Sequence, residues 1–459
     1  MLQRVQNGGE LVVVTRISPS TYFEAQNGPA GLEYDLVRQF ADELGVELRL
    51  VTASTPEDIL GTLAARQAHL AAAGLTVTKG RERHFRFTEP YMSVQQQVVY
   101  RVGNARPGSL ANVAEGELHV LSQSSHSEFL KAAREDFPGL SWIESRDLST
   151  DDLLYQVWNR QIPYTIADSN DLELQQRFYP ELRAAFDLSE PQGLAWAFPN
   201  DSDDSLYHAA SSFFDRVRND GTLNHLIEKY YGHLGRFDYV GTRTYIRHLT
   251  ERLPKYRKLF EEAGAETGID WRLLAAVGYQ ESHWDPRAVS PTGVRGIMML
   301  TQNTSRSLGV TNRLDPEQSI FGGARYLAKV RERIPEHIGE PIRTWLALAA
   351  YNVGYGHLED ARVLTAEAGA DPNSWADVKK HLPLLSQRKW YQKTRFGYAR
   401  GWEPVRYVEN IRTYYDLLIR VTEPELLQVS YEPTQPAPKP RAAGTTTGLR
   451  MGDAVESAL

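Results

Sequence analysis

Residues 271–282 read Trp271-Arg272-Leu273-Leu274-Ala275-Ala276-Val277-Gly278-Tyr279-Gln280-Glu281-Ser282. Leu274, Val277, Gly278 and Glu281 recur at helical spacing, so they share one face of an α-helix. That face is otherwise apolar, which aims Glu281 inward at the end of a buried helix. A carboxyl group there loses hydration, and its pKa is expected to rise. Such an acid near neutrality can protonate a leaving oxygen. A partly buried glutamate paired with an arginine would produce the same spacing, because structural ion pairs also perturb carboxylates.

The helical texture extends outward from this stretch. From Tyr245 to about Leu427 the apolar spacing is almost wholly helical, as in Trp345-Leu346-Ala347-Leu348-Ala349-Ala350-Tyr351. This predicts an all-α unit over residues 243–428, with at most a minor β component. Upstream the pattern changes. Glu10-Leu11-Val12-Val13-Val14-Thr15 reads as a buried strand. Leu32, Leu36, Val37 and Phe40 lie on one side of an amphipathic helix. Val46 to Val51 alternates like a half-buried strand. Strand and helix keep alternating to about residue 235, which predicts an α/β unit over residues 9–235 with mostly parallel strands. The boundary falls near Leu234 to Arg243. Beyond Tyr431 come Pro433, Pro436, Pro438 and Pro440, then Ala-Ala-Gly-Thr-Thr-Thr-Gly. Residues 431–459 hold too little apolar surface to offset the entropy of ordering them, so a disordered tail is expected.

The totals narrow the function classes. At roughly 150 residues per domain, 459 residues make two to four folding units. Apolar residues at 41% and charged residues at 24% are ordinary for a globular protein. A net charge of −7 argues against a nucleic-acid partner, and it requires any acidic glycan to be held by local contacts. With no cysteine there are no disulfides, thiolate nucleophiles or cysteine zinc sites. The 12 histidines form no His-Glu-x-x-His motif or cluster, and no phosphate loop is present. Neither a metal nor a cofactor is therefore expected. No apolar run is long enough for a transmembrane helix. The opening residues lack a leader pattern, which leaves a cytosolic protein or a mature form with its leader removed.

Four ordered segments surround Glu281. The first runs Glu281-Ser282-His283-Trp284-Asp285-Pro286 and the second Gly296-Ile297-Met298-Met299-Leu300-Thr301. The third is Ala349-Ala350-Tyr351-Asn352-Val353-Gly354. The fourth is Tyr398-Ala399-Arg400-Gly401-Trp402-Glu403-Pro404, followed by Tyr407-Val408-Glu409-Asn410-Ile411. Over residues 255 to 420 this set resembles the transglycosylase SLT domain of the goose-type-lysozyme-like lytic transglycosylases. Met299 stands where many members have glutamine, and the 296–301 segment looks most like one membrane-bound subgroup. The resemblance implies a lysozyme-like fold with Glu281 as acid and then base. It implies that Ser282 bonds near the substrate's N-acetyl group and that the backbone at Met298 and Met299 lines the glycan cleft. Tyr351 and Asn352 would flank the scissile position, and Tyr407 would orient Glu281. Tyr351 and Tyr407 also read as core aromatics, and Asn352 with Gly354 as a helix C-cap. Most glycosidases need two carboxylates. Asp285, just before Pro286, is the second candidate, but the position suits turn duty. A single acid suits a transglycosylase, in which the N-acetyl group stabilises the developing cation and the muramyl C6 hydroxyl closes on C1.

The N-terminal unit carries Leu75-Thr76-Val77-Thr78, Arg81, Phe87-Thr88-Glu89-Pro90-Tyr91, Ser122-Gln123-Ser124-Ser125 and Ile166-Ala167-Asp168. These segments resemble the family 3 bacterial extracellular solute-binding proteins, which are two-lobed. By that resemblance Thr76 and Arg81 hold a ligand α-carboxylate, for which an arginine fork is apt. Ser125 adds a helix N-terminus, and Asp168 pairs with the α-amino group. Ser124 replaces the family's usual glycine. A scaffold with a dead pocket is the alternative, with Arg81 in a basic surface patch beside Lys79 and Arg83.

Together these readings imply a peptidoglycan-cleaving enzyme. Its first domain would bind an amino-acid-like or cell-wall peptide ligand, and lobe closure would bias access to the second. A water-using lysozyme and a peptidoglycan-binding receptor are the alternatives. Peptidoglycan as substrate implies the periplasm and a trimmed leader, and the subgroup implies peripheral association with the outer membrane.

Overall fold

The computed structural model describes residues 1–25, 28–113, 116–233, 239–290 and 293–422. The expected tail over 431–459 lies outside the described residues, as does 234–238 at the expected boundary.

Residues 10–231 fold as two lobes, each built on a five-stranded sheet. The first sheet is ordered Glu47–Thr52, Glu10–Thr15, Leu70–Ala71, Ala197–Pro199, Phe85–Phe87. The second is ordered Ile143–Ser145, Leu118–Leu121, Tyr164–Asp168, Gln96–Arg101, Leu182–Asp187. The strand expected at Glu10–Thr15 is found, and the one expected at 46–51 begins one residue later. The mostly parallel arrangement is corrected: four neighbouring pairs are parallel and four antiparallel. A helix crossover returns a strand parallel to its predecessor. A strand arriving from the other lobe enters from the opposite end. Gln96–Arg101 carries the chain into the second lobe and Ala197–Pro199 receives it back, and both pair antiparallel to their neighbours.

Local chemistry explains the elements. Helix Leu32–Leu44 has Glu33 and Asp35 in its first turn, where they complement the helix dipole, and ends at Gly45 with φ 70°. Its Leu36, Val37, Phe40 and Ala41 are buried against Trp196, Phe213 and Phe214. The helix at the second lobe's mouth, Ser125–Ala133, is capped by Ser124, whose hydroxyl accepts from Ser127 N–H at 3.1 Å and donates to Leu121 O at 2.7 Å. Serine in place of glycine thus gives this helix a side-chain cap.

From Tyr239 onward the elements are helices, with bridges at Val289, Arg295 and Leu300 as the minor β component. Trp271–Ser282 is the central helix. It packs on Arg257–Thr267 and on the long final helix Trp402–Thr422, which also meets Ile342–Val353. Tyr245, Phe260, Tyr279, Trp284 and Trp375 are fully buried in this core. Gly278 on the central helix admits its neighbours closely, since a Cβ there would lie 3.0 Å from Phe260 and 3.3 Å from the Met298 sulfur. Among the described residues no helix is long and apolar enough to cross a membrane.

The final helix also touches the two-lobed unit. Arg177, at the end of helix Ser169–Gln176, pairs with Asp416, which His233 Nε2 meets at 2.8 Å. Arg412 donates to the carbonyls of Glu228 at 2.9 Å and Lys229 at 2.8 Å, and lies 3.8 Å over the Trp345 ring. Lys379 reaches the Glu228 carboxylate at 2.9 Å. Burial pushes Arg412 down to about 10 and His233 to about 3. Burial would raise Asp416 as well, but Arg177 and His233 outweigh it and hold that group at about 2.

Candidate active site and ligand pocket

Glu281 occupies the last turn of the central helix. Its Oε1 accepts a 2.5 Å hydrogen bond from the Tyr407 hydroxyl. Glu281 is partly exposed, but protein surrounds most of its carboxyl. The lost hydration raises its pKa to about 7, and the hydrogen bond from Tyr407 opposes this without cancelling it. Among the described residues no arginine or lysine pairs with Glu281, so the ion-pair reading of this position falls away.

Tyrosines surround the acid. Tyr351 stacks on Tyr407 with ring centres 6.4 Å apart and 15° between planes, and Tyr326 flanks it at 5.1 Å. Burial, then the charge of Glu281, pushes both Tyr351 and Tyr407 well above the ordinary tyrosine pKa. Both therefore remain proton donors at neutral pH. Tyr351 donates to Met298 O at 3.0 Å, while Met298 N–H donates to Ser319 Oγ at 3.1 Å. This pins the 296–301 loop. Met299 follows with φ 46°, a left-handed conformation that costs a non-glycine residue about 1 kcal/mol or more.

Ser282 donates to carbonyl oxygens of its own domain, Gly278 at 3.1 Å and Ile297 at 2.9 Å. Its proton ties the central helix to the 296–301 loop, which leaves lone pairs for a substrate. Asn352 is exposed on the last turn of helix Ile342–Val353. Asp285 Oδ1 accepts from Arg287 N–H at 2.9 Å, so this carboxylate caps a turn. Asn410 donates to Gln280 Oε1 at 3.1 Å and fastens the central helix to the final one. That pair escaped the sequence reading because neither residue type at its spacing marks a site.

The expected ligand residues of the first unit meet between the lobes. Thr76 Oγ1 lies 3.4 Å from Asp168 Oδ2 and 3.5 Å from Ser125 Oγ. Arg81 is buried, not part of a surface patch with Lys79 and Arg83. It donates to Thr76 O at 3.0 Å and to Glu128 at 3.2 Å, and burial lowers its pKa. His126 meets Asp168 at 3.1 Å, and Arg16 crosses the lobes to Asp171 at 2.8 Å. Glu33 is buried beneath the mouth. Desolvation raises it to about 7, and Tyr91 at 2.8 Å and Gly74 N–H at 2.7 Å partly offset this. Glu128, His126, Arg16, Asp171 and Glu33 carried no motif.

Fold and sites together define a two-lobed solute-binding unit joined to a lysozyme-like unit whose central helix ends in the acid Glu281. The match to known families agrees: residues 11–233 match the bacterial extracellular solute-binding proteins, family 3, and residues 258–372 the transglycosylase SLT domain. Membrane-bound lytic murein transglycosylase F 1 of Alkalilimnicola ehrlichii is 56% identical over 95% of this chain and 90% of its own length. Membrane-bound lytic murein transglycosylase F of Hahella chejuensis is 46% identical over 97% of this chain and 88% of its own. A crystal structure of a mutant of ArgBP from T. maritima is 20% identical, with TM-score 0.46 over 50% of this chain and 99% of that one. The chain belongs to the membrane-bound lytic murein transglycosylase F family.

Proposed function

We propose that this protein is a lytic transglycosylase that cleaves the β-1,4 bond between N-acetylmuramic acid and N-acetylglucosamine and leaves 1,6-anhydro ends. The observation that carries the reading is Glu281: protonated near neutrality, unpaired with any cation among the described residues, and held by Tyr407. In the proposed cycle Glu281 gives its proton to the glycosidic oxygen as the C1–O bond breaks. The substrate's acetamido oxygen stabilises C1. Glu281, now a carboxylate, takes the proton of the C6 hydroxyl as O6 bonds to C1, and the acid is regenerated without water. The turn role of Asp285 supports this over a two-carboxylate route. Tyr351, Asn352, Ser282 and the backbone at Met298 and Met299 are the proposed glycan contacts.

The N-terminal unit, taken as residues 9–235 beside a catalytic unit of 243–428, is proposed to bind an amino-acid-like or cell-wall peptide ligand through Thr76, Arg81, Ser125 and Asp168. Regulation of cleavage by that ligand is part of the proposal. Helix Ser169–Gln176 supports it: Asp168 stands just before its first residue, and Arg177 at its end pairs with Asp416 on the helix carrying Tyr407. The proposed setting is the periplasm, peripheral to the outer membrane. Mass spectrometry of peptidoglycan digested by wild type and by Glu281→Gln tests the chemistry. Anhydro-muropeptides from wild type alone are expected. Products one water heavier, with reducing ends, would mean a lysozyme.

A further inference from the structure

Residues 388–406 lead into the helix that carries Tyr407, and they differ in charge from the rest of the chain. Arg388, Lys389, Lys393, Arg395, Arg400 and Arg406 stand against the one carboxylate of Glu403, a local charge of +5 in a chain of −7. Among the described residues only Arg400 of the six takes an ion pair, with Glu403. Aromatic side chains are interleaved and face solvent: Phe396 is 51% exposed, Tyr398 57% and Trp402 46%.

The strap is held largely by its backbone, and its aromatic side chains pack on one side while part of each ring stays exposed. Buried Asp360 accepts from the N–H groups of Arg395 at 3.1 Å and Phe396 at 2.8 Å, and Ala399 N–H donates to Leu385 O at 3.1 Å. Phe396 lies on Gly356, where a Cβ would come within 2.7 Å of the ring. Cations sit over the aromatic faces: Lys389 and Lys393 over Trp390 at 5.1 and 5.7 Å, Arg395 over Phe396 at 5.4 Å, and Arg406 over Trp402 at 5.9 Å. Through Phe396, near its middle, the strap rests on Gly356, four residues after Asn352. At its C-terminal end it enters the helix that carries Tyr407.

We propose that this strap is a docking surface for the uncleaved strand beyond the scissile bond, with aromatic faces stacking on sugar rings and cations meeting the free carboxylates of stem peptides. This rests on the glycan-cleaving reading above. Two features select this partner. The strap touches the segment after Asn352 through Phe396 and runs into the helix that carries Tyr407, and a net-acidic chain needs a local cationic patch to hold an acidic polymer. An anionic lipid surface shares the cation chemistry and is an outcome of the test.

The test uses the full chain carrying Glu281→Gln, so that sacculi remain intact, and measures co-sedimentation at rising salt. The probes are purified sacculi, sacculi stripped of stem peptides by an amidase, and phosphatidylglycerol vesicles. Intact sacculi are expected to bind in a salt-sensitive manner, and stripped sacculi more weakly. Adding Lys389→Glu, Lys393→Glu and Arg395→Glu is expected to lower affinity for intact sacculi roughly tenfold, to the stripped level. Salt-independent binding of the parent chain, equal binding of intact and stripped sacculi, or a loss seen on vesicles alone would overturn the proposal. In the Glu281 background, cleavage of a short peptide-free tetrasaccharide is expected to survive the three changes. If no strand is cleaved by the wild type, the catalytic reading fails while sedimentation still judges the strap.

Discussion

Replacing Tyr407 with phenylalanine removes one hydroxyl from the site and leaves the ring that stacks on Tyr351. That hydroxyl donates 2.5 Å to Glu281 and is the one interaction that works against the burial of the acid. A hydrogen bond to a charged group contributes about 1.5–3 kcal/mol, and one pKa unit corresponds to about 1.4 kcal/mol. Its loss raises the Glu281 pKa by roughly one to two. The sign follows from the chemistry. On the proposed mechanism the first step needs the protonated acid, so kcat/KM is expected to fall as pH rises through the Glu281 pKa of about 7. In Tyr407→Phe that fall moves to higher pH. The plateau drops as well, by roughly ten- to a hundredfold, because the carboxyl loses its orienting partner. The assay is release of anhydro product from a soluble glycan strand between pH 5 and 9.5. A descending limb that stays in place, or moves to lower pH, would refute the assignment of Tyr407 as the donor that sets this acid.

The same burial affects stability. The folded pKa of Glu281, about 7, lies above the ordinary 4.5, so folding takes up a proton between these values and stability falls as pH rises through them. Glu281→Gln is expected to be more stable than wild type by up to about 3 kcal/mol at pH 8 and nearly equal at pH 4, read by denaturant unfolding. Asp285→Asn keeps the turn and is expected to change kcat by less than roughly twofold; a hundredfold loss would make it a second catalytic carboxylate. Arg412→Ala leaves Glu228 facing Lys379 alone and is expected to cost about 3 kcal/mol, the lower end for a broken buried pair. Unchanged unfolding of that variant would show the contact to be idle.

Glu281, the proposed acid, was legible because one apolar helical face ended in a carboxylate, and local periodicity is enough to place such a residue. Its partner was not legible from periodicity. Tyr407 lies 126 positions away, and only the resemblance linked the two. The lobes show the same divide. Glu10–Thr15 was readable as a buried strand, but the antiparallel pairs were not, since they arise from where the chain crosses between lobes. Arg81 and Asp168 were found by motif, whereas Glu128 and His126, which face them, were missed. Both sit on an ordinary helix whose pattern says only that one side is buried. The basic strap was present in plain sequence, but its meaning needed the fold, which sets it beside the cleft.

Tyr407 and Asp416 are nine residues apart on one helix, so they lie about 13.5 Å apart along its axis and on opposite faces. One face meets the acid, and the other meets Arg177 and His233 of the two-lobed unit. Helices transmit tilt well and compress poorly. If Asp416 moves sideways by about 1 Å and the helix pivots near its centre, Tyr407 moves about as far the other way. A hydrogen bond of 2.5 Å does not survive that displacement in useful form. Glu281 would move less, because Ser282 ties its helix to Ile297, and Asn410, which joins that helix to the final one, lies near the pivot. On the regulatory proposal, ligand binding therefore acts on the acid through Tyr407, by changing its distance to the carboxyl. The consequence is measurable. In Tyr407→Phe a stem tetrapeptide should no longer alter the pH profile of cleavage, while slow basal cleavage persists. A ligand response of wild-type size in that variant would place the coupling outside this helix.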